Sequence, residues 1–167
     1  MILYIIRHAI AAPLGPEGDD SQRPLTDKGR TRMYRIAAGL KEMGETPELI
    51  LTSPYMRATQ TARILAKELE LGKEKIVPTG CLAPGAQAAD LVKEINAQYA
   101  GRQAIAIVGH EPDLSALIAL LISGDPGLSI TMKKGGVCRL STEALQAGRC
   151  ATLDWLLTPG QLVEIGG

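Results

Sequence analysis

Two uninterrupted hydrophobic runs, ILYII at 2–6 and AIAIV at 104–108, constrain the fold of this chain more than any other feature. A strand with one wet face alternates apolar and polar side chains. An unbroken run of this length, rich in branched residues, reads instead as a strand buried on both faces, the habit of parallel sheets covered by helices. Each run ends abruptly in a polar pair or turn, Arg7-His8 after the first and Gly109-His110 after the second.

The intervening residues supply the covering helices. Thr26 is placed to cap a helix from Asp27 to Met43, whose apolar face is Met33, Ile36, Ala37 and Leu40 and whose stop is Gly44. Leu49–Thr52 reads as a second strand, and a helix follows to Gly72 with Ser53 as N-cap and Pro54 at its first position. A short strand at Lys75–Val77, a turn-rich loop from Pro78 to Gly85 and a helix from Ala86 to Tyr99 come next. After Ala104–Val108, a helix spans Asp113 to Ile122, and strands at Val137–Ser141 and Ala151–Leu157 are spaced to pair as an antiparallel hairpin. This alternation predicts an α/β protein, three layers in α/β/α order around a mainly parallel sheet. No repeat, low-complexity tract or linker interrupts residues 1–167, so a single domain is expected.

Composition narrows the function. Lys plus Arg and Asp plus Glu number 18 each, so the formal net charge is zero. That leaves no bulk field to hold a nucleic acid or an anionic membrane, and neither is an expected partner. The chain has no Phe and one Trp, so stacking platforms for single-stranded nucleic acid are not expected either. Cys81, Cys138 and Cys150 are odd in number and lack close-paired spacing, which suits reduced thiols in a cytoplasmic protein rather than disulfides or zinc. The run at 2–6 is too short for a signal segment, and nothing approaches the roughly 18 apolar residues of a membrane span.

In open α/β sheets ligands bind beyond the carboxyl ends of the strands. Arg7, His8 and His110 sit at that address, and Arg57 falls in the first turn of the helix after the second strand. Both histidines of the chain and two arginines thus gather near helix N-termini, whose free N–H groups favour anions. Guanidinium forks match phosphoryl oxygens, so the set describes a phosphate pocket. No third ligand stands at metal-binding spacing from either histidine, and neither metal nor cofactor is expected.

Four segments in order, LYIIRHAIA, RPLTDKG, LTSPYMRATQTA and AIVGHEPDLS, together with a terminal WLLTPGQL, resemble the histidine phosphatase superfamily, and in particular its small phosphohistidine phosphatases of the SixA type. The resemblance implies a phosphoglycerate mutase-like fold, compact and without a lid insertion. It assigns Arg7, His8, Arg57 and His110 to the catalytic pocket, with His8 as nucleophile. The usual Arg-His-Gly here reads Arg7-His8-Ala9, so the turn after the strand must be one that an L-residue accepts. Larger members carry an acid for the leaving group in the segment corresponding to 80–90, whereas this chain has CLAPGAQAAD, with Asp90 as its one carboxylate.

The implied chemistry is metal-independent phosphoryl transfer through phospho-His8, with Arg7, Arg57 and His110 stabilising the equatorial oxygens. Two guanidinium groups keep His8 unprotonated, while His110 is either charged or merely a hydrogen-bond donor. A phosphohistidine leaves as imidazole and needs little acid, whereas an alkyl phosphate needs a donor typically worth about 10²–10⁴-fold. Glu111 is read either as that donor or as an exposed residue at a helix entry. Arg23 and Ser53 are auxiliary candidates, the first also a solvated arginine and the second also a cap. Lys133-Lys134 are read as a solvated loop or a steering patch. The expected activity is hydrolysis of phosphohistidine on a phosphorylated protein. The alternatives are a small-molecule phosphomonoesterase, with Glu111 or Asp90 as acid, and a phosphate-binding module without turnover.

Overall fold

The first hydrophobic run forms β1 (Ile2–Arg7), and the computed structural model, which describes residues 1–167, places it inside a six-stranded sheet. The order is β3 (Ile76–Pro78), β2 (Leu49–Thr52), β4 (Ala104–Gly109), β1, β5 (Val137–Thr142), β6 (Ala151–Leu157). The first four of these run parallel, and β5 and β6 form an antiparallel hairpin on the β1 edge. The five helices are α1 (Asp27–Glu42), α2 (Met56–Glu68), α3 (Ala88–Gln98), α4 (Asp113–Ser123) and α5 (Pro159–Ile165). No helix is long and apolar enough to cross a membrane.

Alternate residues of the central strands feed two separate cores, which is why their sequences show no polar interruption. Tyr4, Ile6, Ile50 and Val108 pack with Met33, Ile36, Leu65 and Leu162 of α1, α2 and α5 on one face. Leu3, Ile5, Leu51 and Ile107 pack with Leu91, Ile95, Leu114 and Leu117 of α3 and α4 on the other. The cores hold 19 and 18 buried residues, so neither face of the sheet is the weaker one. Each fully buried Leu or Ile contributes about 1.5–3 kcal/mol, which makes the strand ends a rigid platform.

Thr26 caps α1 as expected, its Oγ1 accepting from Gly29 N at 2.9 Å. Gly29 is required there: a Cβ would lie 2.1 Å from the Ile10 carbonyl oxygen, where the loop leaving β1 presses on the helix. That contact, with Thr26 N donating to Ile10 O at 3.0 Å, ties the loop 10–26 to the helical layer.

Several boundaries differ from the sequence reading. α2 begins at Met56 with Tyr55 at its N-cap, so Pro54 lies outside the helix and Ser53 is not its N-cap. Residues 73–75 form a 3₁₀ turn, which moves β3 to Ile76–Pro78, and α3 starts two residues after Ala86. α5 was not anticipated. Its signals were nevertheless present: Thr158 and Gln161 form a capping box around Pro159 at the first position, and the short helix is held by burying Leu162 against the α1 layer.

Candidate active site

The ends of β1, β4 and β2 are in register. Arg7 pairs with Gly109, and Thr52 with Val108. The ladder continues one residue further, with His8 N donating to Gly109 O at 3.1 Å and Ser53 N to Val108 O at 2.9 Å. His8, His110 and Ser53 therefore leave three adjacent strands, about 4.8 Å apart, at the same level. The two imidazole rings are tilted by 55° to one another, their centroids 5.2 Å apart.

His8 is buried, and its Nδ1–H donates to its neighbour's carbonyl, Ala9 O, at 2.7 Å. This selects the tautomer: Nε2 carries the lone pair and accepts from Arg57 Nε at 3.3 Å. Burial pushes the His8 pKa down to about 3 against its Ala9 bond, and His110, Arg57 and Arg7 push the same way, so the ring is neutral near pH 7. Ala9 does not adopt a positive φ, so the turn accepts its methyl group, which is buried. Its N–H donates to Thr61 Oγ1 at 3.1 Å, and Thr61 in turn donates to Arg57 O at 2.7 Å. The turn bearing His8 and the helix bearing Arg57 are thus locked together by a threonine that the sequence reading did not single out.

His110 is also buried, with Nε2 hydrogen-bonded to Ser53 Oγ at 2.7 Å and Nδ1 buried without a partner. Burial, followed by Arg57, lowers its pKa to about 4, with Asp20 opposing. Of the two states the sequence left open, burial favours the neutral ring. Ser53 Oγ also accepts from Tyr55 N at 3.2 Å, so its placement corrects the capping role: it shapes the turn before α2 and holds His110. Tyr55, which the sequence did not flag, meets the His110 ring edge-on at 5.3 Å and has Arg57 over its own ring at 5.1 Å.

Arg57 is the most constrained cation of the chain. Only 4% exposed, it donates to Asp20 O at 2.8 Å and to Asp20 Oδ2 at 3.1 Å besides reaching His8. Asp20 also binds Arg23 Nε through Oδ1 at 2.7 Å, and Arg23 anchors to Ala12 O at 3.0 Å. Burial pulls the Asp20 carboxyl up, but the bonds from Arg23 and Arg57 outweigh it and hold the pKa low. Arg23 thus reaches the site through Asp20, a residue whose only sequence signal is its position three residues before Arg23. Arg7 donates to Met132 O at 2.8 Å and keeps a buried Nε without a partner.

The carboxylates weighed as acids are engaged with backbone or exposed. Glu111 Oε1 accepts from Ser115 N at 2.9 Å and so caps the first turn of α4, while Asp90 is exposed on α3. The 80–90 segment presents Cys81, Leu82, Ala83 and Ala86 to a recess of about 20 Å³ that His110 and Asp113 also line, with Asp113 Oδ2 accepting from Gly85 N at 2.8 Å. Lys133 and Lys134 are exposed on the loop before β5, from which Gly135 N donates to Arg7 O and His8 O at 3.1 and 3.2 Å. No three His, Cys, Asp or Glu side chains cluster in a way that could hold a metal ion.

The chain is similar to known proteins over nearly its whole length. Residues 3–78 match the model of the histidine phosphatase superfamily (branch 1). An uncharacterized protein of Picosynechococcus sp. is 39% identical over 165 residues, covering 98% of this chain and 99% of its own. The phosphohistidine phosphatase SixA of Escherichia coli is 28% identical over 165 residues, covering 97% of this chain and 96% of its own. The solved structure of the protein histidine phosphatase SixA complexed with tungstate superposes with a TM-score of 0.83 at 26% identity, over 97% of this chain and 99% of that one. An α-ribazole-5′-P phosphatase from E. coli shares the fold, with a TM-score of 0.71 at 21% identity over 95% of this chain and 98% of that one. Since the likeness to SixA runs from end to end in both sequence and backbone, the chain belongs to the histidine phosphatase superfamily and has its phosphoglycerate mutase-like fold.

Proposed function

We propose that this chain, acting as one domain over residues 1–167, is a metal-independent phosphohistidine phosphatase that dephosphorylates a histidine on a cytoplasmic protein. The observation that carries the reading is the His8–Arg57 pair. A buried, neutral imidazole has its Nδ1 proton committed to Ala9 O and its Nε2 lone pair beside a guanidinium. Buried Arg7 Nε and His110 Nδ1, which lack partners, are polar groups that phosphoryl oxygens or their hydroxyl would satisfy. The SixA relative's structure with tungstate, an oxyanion, supports anion binding in this fold.

In the first step Nε2 of His8 attacks phosphorus in line, forming a P–N bond as the substrate P–N bond breaks and the departing imidazole takes a proton from water. Arg57 and Arg7 carry charge to the equatorial oxygens, and neutral His110, oriented by Ser53, adds a hydrogen bond. Water then attacks the phosphoenzyme, releasing orthophosphate and neutral His8. The wall at 81–86 is apolar, and the two carboxylates near it are engaged with backbone, Glu111 accepting from Ser115 N and Asp113 from Gly85 N, which favours a leaving group that needs no strong acid, as a phosphohistidine imidazole does.

The test is incubation with a phosphohistidine-bearing protein and with small phosphate esters, with and without a chelator, beside His8→Ala. Phosphohistidine loss that survives the chelator and vanishes in His8→Ala is the expected result. Ester turnover with phosphohistidine left intact overturns the substrate assignment in favour of a small-molecule phosphomonoesterase. Chelator-sensitive turnover overturns metal independence, and equal turnover by His8→Ala overturns the nucleophile.

A further inference from the structure

Outside the active site, the surface between α1, α2 and β3 holds an open groove of about 910 Å³. Arg30, Arg63, Lys67 and Lys73 line it, no carboxylate does, and Ile64 and Leu71 contribute apolar floor. None of these four cations forms an ion pair, although Lys41, Arg102, Arg139, Arg23 and Arg57 all do. Glu74 turns its carboxylate onto Gly72 at the far end without lining the groove. In a chain of zero net charge, four unpaired cations around one concavity are a local concentration that a complementary acidic surface would relieve.

The groove shares α2 with the catalytic centre. Thr59 and Gln60 line its near end, within one helical turn of Arg57, and Gln60 Oε1 accepts from Leu25 N at 2.8 Å, on the segment that carries Arg23. From Arg57 to Lys67 the helix runs ten residues, about 15 Å at the usual rise. At its far end Lys67 lies 5.5 Å from the ring of Tyr34, which is 36% exposed.

We propose that this groove docks an acidic, partly apolar stretch of the polypeptide that carries the phosphohistidine, holding it while its phosphoryl group reaches His8. This rests on the phosphatase reading above. A protein segment fits better than a polyanion, because the apolar floor has no counterpart on a phosphate backbone and the balanced net charge supplies no long-range field.

The test uses the full chain and two surface variants, Arg63→Glu/Lys67→Glu and the milder Arg63→Gln/Lys67→Gln, each checked for an unchanged thermal midpoint. A fluorescent, unphosphorylated peptide of Glu and Leu serves as the binding probe, with anionic vesicles and duplex DNA as competitors. The expected result is peptide binding weakened about tenfold by charge reversal, less by neutralisation, and weakened by salt. In turnover, KM for the phosphohistidine protein rises about tenfold while hydrolysis of para-nitrophenyl phosphate is unchanged. Equal peptide binding by wild type and both variants overturns the surface, as does charge-dependent binding of vesicles or DNA with none of the peptide. If peptide binding follows the charges but phosphohistidine is never hydrolysed, the phosphatase reading fails and the docking surface stands. If phosphohistidine turns over equally in wild type and variants, the surface fails and the phosphatase reading stands.

Discussion

Arg57 directs its Nε–H at Nε2 of His8 across 3.3 Å, so the atom proposed to attack phosphorus is held by a group proposed to stabilise the phosphoryl oxygens. Arg57→Lys keeps the charge and loses the planar fork that serves His8 and Asp20 together. It is expected to lower kcat/KM about 10²–10³-fold and also to lower the thermal midpoint, since buried partners lose their donor, as read by steady-state kinetics and calorimetry.

Asp20 occupies guanidinium donors of Arg57 and Arg23 that an incoming phosphoryl group would also use. Asp20→Asn keeps the shape and removes the competing charge. Orthophosphate and tungstate are expected to inhibit this variant about two- to fivefold more tightly, consistent with the loss of one nearby negative charge. Unchanged or weaker inhibition would show that Asp20 does not compete with the ligand.

Ser53→Ala removes both the bond to His110 and the acceptor for Tyr55 N. A loss of about 1–2 kcal/mol in urea unfolding is expected, together with a fall of about tenfold in kcat and little change in KM. Ser53→Thr retains the hydroxyl and is expected to recover part of the kcat.

His8 and His110 both have folded-state pKa values below the ordinary value of 6.5, at about 3 and about 4. The unfolded chain therefore binds more protons than the folded one between about pH 6.5 and pH 3. The stability tied to their neutral forms is fully present above about pH 6.5 and is lost as pH falls through that window. Thermal midpoints are expected to drop on acidification from pH 7 to pH 4, with a shallower slope in His8→Asn/His110→Asn. An equal slope in this double variant would place the acid sensitivity in other groups.

Gly135 has φ +81°, and a Cβ there would lie 2.7 Å from Ile36 Cδ1 while its N–H serves the carbonyls of Arg7 and His8. Gly135→Ala is expected to cost about 1–3 kcal/mol in urea unfolding and to reduce turnover with it, since the substitution strains a turn whose N–H bonds the Arg7 and His8 carbonyls.

Much of this was legible in one dimension because it depends on local patterns. The runs at 2–6 and 104–108 announced strands buried on two faces, Thr26 announced its helix, and the strand-end positions of His8 and His110 pointed to a common site. What escaped depends on contacts between distant residues. Ser53 looks like a cap by sequence, yet its hydroxyl bonds a histidine 57 positions away. Asp20 and Thr61 carry no local mark, and they matter only because the fold brings them to Arg57 and to Ala9.

The sequence by itself determined the α/β layering and pointed Arg7, His8, Arg57 and His110 to one strand-end address, since hydrophobic periodicity and strand termini are properties of short segments. Only the tertiary structure decided their chemical states. The tautomer of His8, the neutrality of both imidazoles and the sharing of Arg57 between His8 and Asp20 follow from burial and from hydrogen bonds across three strands. Desolvation and directional bonding act through space, and a linear order of residues does not contain them.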